Sequence, residues 1–226
     1  MTRMSVSERR AALVTAALSV IARDGVAAAT TRAISTEAGM PQASFHYAFE
    51  SRDELMREVV KHVVAGEERA ILPATDPASA PPDLREALRT GLRYYFAGVV
   101  ADPGHERAMF ELSQHSQRTP GAEHLARLQY ESYFALADAA LRAAAELTGA
   151  RWNRPVDEIA RLLVGLTDGL TSTWLATRDD AAALRLVDFA ADALARLAEP
   201  DGGHAEPGAE PVPRCTTTAE GAGVRA

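Results

Sequence analysis

The sequence predicts an all-α fold, in which a small N-terminal three-helix domain with a helix-turn-helix precedes a larger helical domain. Hydrophobic residues make up 47% of the 226 residues, and Ala and Leu dominate them, which favours helix over strand. Apolar residues recur at helical spacing between capping and breaking residues. No run of alternating β-branched residues predicts a strand.

The first helix is predicted over residues 6–24. Ser5 and Glu8 form an S-x-x-E capping box at its start, and the apolar residues that follow have helical spacing. Gly25 stands where a left-handed C-cap residue is expected. This segment therefore has both a start signal and a stop signal.

Two short helices follow, joined by a turn that contains glycine. Thr31 is expected to cap a helix over about 32–38, which Gly39 ends. Pro41 fits the first turn of a third helix over about 41–48, because the N–H that proline lacks would have no partner there. Two short helices joined in this way make a helix-turn-helix.

A longer helix over 51–70 begins with a second capping box and connects the two parts of the chain. The stretch PATDPASAPP at 73–82 is predicted to be a linker. Further helices are predicted at about 83–101, 104–117, 121–148, 155–177 and 180–198. The chain beyond lacks periodic apolar residues and is predicted to be disordered. The predicted division is residues 1–50, 51–199 (the second domain) and 200–226 (the tail).

The last two helices, at 155–177 and 180–198, are rich in Leu and Ala. Gly165 and Gly169 in the first of them allow another backbone to approach closely. These features predict a helical interface between two copies of the chain. Packing within one chain is the alternative.

Cysteine content and hydropathy bear on the compartment. The single cysteine, Cys215, lies in the predicted tail, so no internal disulfide can form and a reducing, cytoplasmic environment is expected. The N-terminus lacks the apolar stretch of a signal peptide. Nothing approaches 18 consecutive apolar residues, so no membrane span is expected.

Charge is distributed unevenly along the chain. The net charge is −7, which by itself disfavours a nucleic-acid partner. Residues 1–62 nevertheless carry eight Lys and Arg against seven Asp and Glu, and the acidic excess lies in the rest of the chain. The N-terminal quarter can therefore contact DNA.

In a helix-turn-helix, the second helix enters the major groove and presents its N-terminal side chains to base edges. Glutamine can pair with adenine in bidentate fashion, and a small alanine permits close approach. The side chains predicted to read bases are therefore Arg32, Gln42 and Ala43. Short or donor-bearing side chains suit phosphate oxygens, and those predicted to contact phosphates are Thr31, Ser44, His46, Tyr47 and Arg52.

The segment FHYAF at 45–49 concentrates rings in a chain that is only 6% aromatic. Phe45 and Phe49 are four residues apart, so they are expected to share a buried face of the helix. His46 and Tyr47 are expected to point elsewhere. The rings are thus predicted to divide between the core and the contact surface.

Residues 8–62 resemble the TetR family of bacterial transcriptional regulators. The family pattern runs roughly T-x-x-x-I-A-x-x-A-G-V-S-x-G-x-L-Y-x-H-F-x-S-K-x-x-L. It is matched here by Thr30-Thr31, Ile34, Ala38-Gly39-Met40, Ala43, Ser44-Phe45, Phe49, Ser51-Arg52 and Leu55. The recognition helix, with FHYxF, looks like a variant branch of the family.

The resemblance implies a DNA-binding domain joined to a helical domain that binds an effector and dimerises. It implies a homodimer that reads a palindromic operator in double-stranded DNA, usually as a repressor released by a small molecule. No cofactor is expected. An activator or architectural DNA binder, and a helical enzyme or carrier, are the alternatives.

Several aromatic and sulfur-bearing side chains of the larger domain are candidates for lining an effector pocket, and helical spacing equally makes them core residues. They are Tyr94, Met109, Phe110, Tyr130, Phe134 and Trp174. The histidines lack close ligand spacing, so no metal site is expected. No G-x-S-x-G, phosphate-binding glycine loop or H-E-x-x-H occurs, so the sequence predicts no enzyme.

Overall fold

The computed structural model describes residues 4–71 and 83–199, and it confirms an all-α fold over these ranges. The predicted linker and tail, with Cys215, lie outside the described residues. No described helix is long and apolar enough to cross a membrane. The helices are α1 Val6–Asp24, α2 Thr31–Glu37, α3 Ala43–Ala48, α4 Arg52–Ile71, α5 Leu84–Ala101, α6 Pro103–Arg118, α7 Glu123–Thr148, α8 Val156–Thr177 and α9 Asp180–Ala195.

The capping box predicted for α1 is confirmed. Ser5 Oγ accepts a hydrogen bond from Glu8 N at 3.1 Å, and Glu8 Oε2 accepts one from Ser5 N at 2.7 Å. The box predicted at the start of α4 forms only in part. Ser51 Oγ accepts from Glu54 N, but the Glu54 carboxylate accepts from Glu50 N instead of Ser51 N.

The helix-turn-helix begins and ends at slightly different residues from those predicted. Thr30, and not Thr31, caps α2, because its Oγ1 accepts a hydrogen bond from Ala33 N at 3.1 Å. Thr31 is the first residue of the helix. α3 begins at Ala43, so Pro41 precedes the helix instead of occupying its first turn.

A two-stranded antiparallel pair was not predicted. β1, Arg151–Trp152, pairs with β2, Ala198–Glu199, and α9 consequently ends at Ala195 instead of continuing to residue 198. A strand of two residues carries no alternation pattern, and its pairing depends on a distant segment. The sequence therefore gives no local signal for it.

The buried side chains form two clusters. We use "head" for residues 4–50 and "body" for the described residues after 50. One cluster, the head core, fills the space between α1, α2 and α3, but α4, α6 and α7 complete it. The body residues buried in the head core are Leu55, Met56, Val59, Val60, Val63, Ala108, Met109, Leu112 and Leu125. The second cluster lies between α5, α7, α8 and α9. The head therefore shares its interior with α6.

Gly25 ends α1 with a positive φ, although not in the left-handed helical conformation that was predicted. Its φ of 85° and ψ of 164° lie in a region that only glycine occupies readily. A Cβ at this position would stand 2.7 Å from Glu111 Oε1 of α6. Glycine is therefore required both by the backbone and by the close approach of the body.

Replacing Gly25 by alanine is expected to lower the free energy of unfolding by about 1–3 kcal/mol, the usual cost of such backbone strain. Urea unfolding followed by circular dichroism measures this change. Gly91→Ala in α5 is the matched control, since a Cβ there meets nothing within 4 Å, and it is expected to stabilise by roughly 0.5–1 kcal/mol. Equal effects of the two substitutions would contradict the assignment.

Candidate nucleic-acid interface

The turn between α2 and α3 is held by backbone hydrogen bonds. Gly39 has a φ of 65°, and Met40 N donates to Ser35 O at 2.9 Å. Ile34 of α2 and Phe45 of α3 are fully buried in the head core. The N-terminal end of α3 is thus fixed on the core while its outer face remains exposed.

The side chains predicted to read bases, Arg32, Gln42 and Ala43, are all exposed. Gln42 is the N-cap residue of α3, and its side chain makes no capping hydrogen bond. The amide of Gln42 is therefore not engaged at the helix end. The structure brings Gln42 and Ala43 together at the start of α3, with Arg32 in the first turn of α2.

The rings of FHYAF divide between core and surface as predicted. Phe45 is 0% exposed and packs against Phe49, with ring centroids 5.8 Å apart. Tyr47 is 76% exposed. His46 is also exposed, with its ring edge-on to Phe45 at 5.6 Å. The concentration of rings therefore anchors the helix from within and presents Tyr47 outward.

Two further predicted phosphate contacts, Thr31 and Ser44, are half-buried. Arg52 is also half-buried, and its guanidinium donates to two carbonyls of the head. Nε lies 2.7 Å from Ala29 O, and Nη2 lies 2.6 Å from Val26 O. Burial lowers the pKa of Arg52. The two hydrogen bonds of Arg52 tie the start of α4 to the segment before α2. The phosphate contact of Arg52 stays a prediction.

Sequence reasoning missed Arg10, which links α1 and α3 of the head to α4. Its Nη1 donates to Ala48 O at 2.5 Å and to Glu54 Oε1 at 2.9 Å, and its guanidinium lies 4.1 Å from the centroid of Phe49. Hydrogen bonds from Glu50 N and then from Arg10 lower the pKa of Glu54. Arg10 thus holds the end of α3 against the start of α4.

Glu111 was also missed, and it joins the head to the body. Its Oε1 accepts a hydrogen bond from Val26 N at 2.7 Å. Close by, a cleft of about 640 Å³ lies between α4 and the α6–α7 connection. In this cleft His124 Nε2 stands 3.0 Å from Asp53 Oδ1. Glu111 of α6 therefore contacts the segment before α2 directly.

The predicted effector residues do not form one group. Met109 is buried in the head core, and Tyr94 is 51% exposed on α5. Trp174 packs edge-on against Phe96, and its Nε1 donates to Asp180 Oδ1 at 2.7 Å.

Tyr130 and Phe134 do lie together, with ring centroids 6.0 Å apart, and Tyr130 donates to Asp168 Oδ2 at 2.8 Å. Phe110 is half-buried on α6. Tyr130 and Phe134 therefore form a ring pair on α7, and the tyrosine of this pair contacts a carboxylate of α8.

Two family models match the chain. The model for bacterial regulatory proteins of the tetR family matches residues 13–59. The model for the C-terminal part of BetI-type transcriptional repressors matches residues 82–199. The two matches cover the head with the first part of α4, and the body from the start of α5 to β2.

Known proteins resemble the chain over most of its length. It is 30% identical to the HTH-type nicotine-responsive transcriptional repressor HdnoR of Paenarthrobacter nicotinovorans, over 84% of this chain and 96% of that one. The multidrug binding protein EbrR, solved with ethidium, shares 27% identity at a TM-score of 0.58 and covers 84% of this chain and 98% of its own. A putative transcriptional regulator of Pseudomonas aeruginosa PAO1 shares the fold, with a TM-score of 0.66 at 23% identity, covering 86% and 93%.

Proposed function

Because the chain belongs to the TetR family of bacterial regulators and is a DNA-binding regulator of transcription, we propose that it is a homodimeric repressor. The proposed dimer binds a palindromic operator in the cytoplasm and leaves it when a small molecule binds the body. The observation that carries this proposal is the exposed start of α3, presented on a closed head core. We propose no catalytic role for the chain.

The proposed contacts follow the exposure of the side chains in the helix-turn-helix. Arg32, Gln42 and Ala43 read base edges, and Tyr47 and His46 contact phosphates beside them. Half-buried Thr31, Ser44 and Arg52 lie at the edge of the contact surface and reach the nearest phosphates. We take the FHYxF helix to mark a variant branch of the family, in which His46 stands where the family usually has tyrosine and an outward tyrosine, Tyr47, follows it.

We also propose the division of labour along the chain. Residues 1–50 bind DNA, and residues 51–199 bind the effector and dimerise, with 51–70 connecting the two. The contacts between α6 and the head core support α6 as the element that couples them, beside the connecting helix.

The proposed dimer interface lies on α8 and α9. Leu162 of α8 and Leu184 and Phe189 of α9 are large apolar side chains that remain exposed. No other part of the described chain would lie within 4 Å of a Cβ at Gly165 or Gly169, so a partner backbone has room to approach. Two α8–α9 pairs packed together would bury this apolar surface.

The proposed switch is geometric. Two recognition helices enter successive major grooves only when they are held about 34–36 Å apart. An effector that favours another separation therefore shifts the population away from DNA. HdnoR is described as nicotine-responsive and EbrR as a multidrug binding protein, which supports an effector that is a small organic molecule.

Selection of bound duplexes from a random pool tests the proposal. We expect a palindrome with two half-sites, and binding that weakens steeply with salt because phosphate contacts release counterions. Gln42→Ala is expected to relax the preference at one base pair per half-site, at a cost of about 1–3 kcal/mol for a lost bidentate pair. An unenriched pool would contradict DNA recognition, and an unchanged consensus with Gln42→Ala would contradict the base-reading role of Gln42.

A further inference from the structure

Two carboxyl groups of the body lie in partly buried positions without a cation beside them. Glu106 is on α6 and Asp168 is on α8, and within the described ranges neither forms an ion pair. We call Glu106 and Asp168 the interior acid pair. Both side chains keep partial exposure, so a solute can reach them from solvent.

Burial raises the pKa of Glu106 to about 7, and the charges of Asp102 and Asp168 add to the effect. Burial likewise raises the pKa of Asp168, against the opposing hydrogen bond from Tyr130. His105 is no counter-ion for the pair, because burial lowers the pKa of its imidazole. The two carboxyl groups are therefore costly to ionise, because the described part of the protein places no compensating positive charge beside them.

Aromatic rings stand beside the interior acid pair. Tyr130 donates its hydroxyl proton to Asp168, and its ring lies edge-on to Tyr133 with centroids 6.0 Å apart. Phe134 lies at the same centroid distance from Tyr130, and the Arg161 guanidinium lies 4.5 Å from the centroid of the Phe134 ring. Ring faces attract organic cations, and Phe and Tyr side chains bury the apolar parts of such molecules.

Gln129 of α7 has a buried polar atom without a hydrogen-bond partner among the described residues. Its side chain is only 3% exposed, and Nε2 donates to Met109 O, one turn after Glu106, and to the Tyr133 hydroxyl, both at 3.2 Å. Its Oε1 is buried and has no hydrogen-bond partner among the described residues. A buried carbonyl oxygen of this kind needs a donor, which an N–H group of a bound molecule would supply.

We propose that the side chains around Glu106, Asp168 and Tyr130, on α6, α8 and α7, bind an aromatic organic cation, with its charged nitrogen between Glu106 and Asp168. This inference rests on the proposed function, because it gives the chemical class of the effector. A metal ion suits the site less well. No group of three or more His, Cys, Asp or Glu side chains that could hold one occurs in the described ranges, and aromatic rings contribute nothing to metal coordination.

Occupation of this site acts on the head through α6. Glu106 lies five residues before Glu111, which accepts the hydrogen bond from Val26 N. Between them, Ala108 and Met109 are buried in the head core. A cation that draws Glu106 towards Asp168 therefore displaces the same helix that supports the helix-turn-helix.

Isothermal titration calorimetry of the full chain with two probes of the same shape tests the proposal. The probes are benzylammonium, which carries N–H donors, and its neutral carbon analogue ethylbenzene. We expect the wild type to bind the cation at least tenfold more tightly than the neutral probe. Glu106→Gln and Asp168→Asn should each weaken the cation at least tenfold and change the neutral probe less than twofold. Glu131→Gln, at an exposed position of α7, is the matched control and should change neither.

The pH dependence gives a second readout. Glu106 is charged above pH 7 and protonated below it, so the affinity for the cation should rise between pH 6 and pH 8 in the wild type. Among its neighbours, Asp102 and Asp168 are the acids that add to this effect. The rise should be smaller in Glu106→Gln, and the neutral probe should show no rise.

Equal affinity for the two probes, or no measurable binding of the cation at millimolar concentration, would overturn the inference. Unchanged cation binding in both acid variants would overturn it as well. If one variant fails to fold, the other variant and the wild-type comparison of the probes still decide. A gel shift with the selected duplex, measured without probe, separates this failure from failure of the proposed function, because DNA binding does not depend on the interior acid pair.

Discussion

Replacing Phe45 by alanine is expected to lower the free energy of unfolding by about 3–5 kcal/mol, the usual cost of deleting a buried ring. The ring is fully buried between Phe49 and the rest of the head core. A domain of this size is stable by only about 5–15 kcal/mol, so the loss removes a large part of the total. Because α6 shares the head core, urea unfolding of the whole chain measures the change.

Tyr47→Ala, two residues further on, is the matched control with the opposite expected result. Its ring is exposed, so the free energy of unfolding should stay within about 0.5 kcal/mol of the wild-type value. DNA affinity should fall for all duplexes alike, because a phosphate contact carries no sequence information. A stability loss for Tyr47→Ala equal to that for Phe45→Ala would contradict the assignment of the two rings.

Phe189→Glu is expected to convert the proposed dimer into a monomer and to weaken operator binding by at least about a hundredfold. Phe189 is 61% exposed in the single chain, and a carboxylate at the centre of an apolar interface would be buried without a partner. A monomer binds one half-site and loses the gain of about 10²–10⁴ that linking two sites provides. Sedimentation and gel shifts at the same protein concentration measure the two effects.

Tyr94→Glu is the control for this substitution, because Tyr94 is a similarly exposed aromatic residue on α5 and belongs to neither helix of the proposed interface. It should leave both mass and DNA affinity unchanged. A dimer that survives Phe189→Glu would place the interface elsewhere. Monomers that still bind the palindrome with wild-type affinity would contradict the geometric switch.

The helices were predictable because their signals are local. Ser5 and Glu8 start α1 within a few residues of each other, and the residue types between Thr30 and Leu55 resemble a known pattern. The contacts that position the site are not local. Arg10 donates a hydrogen bond to Glu54, and Glu111 accepts one from Val26. No spacing rule connects residues so far apart in the sequence.

The division of FHYAF into buried and exposed rings was predictable for the same reason, since four residues make about one helical turn. The engagement of Arg52 with two backbone carbonyls was not, because an arginine at the start of a helix suits solvent, phosphate or carbonyl equally. The interior acid pair could not be predicted from the sequence either, because only burial distinguishes Glu106 and Asp168 from the acidic residues at the surface.

The contribution of α6 to the head core limits how this regulator can be recombined. Ala108, Met109 and Leu112 of α6 form part of the head core against which α1 packs. These residues come much later in the sequence than the helix-turn-helix. A chimera that joins only the first fifty residues to the body of another regulator would lose these side chains and expose the head core to water. A segment exchanged between relatives should therefore contain both the helix-turn-helix and α6, because the head core needs residues from both.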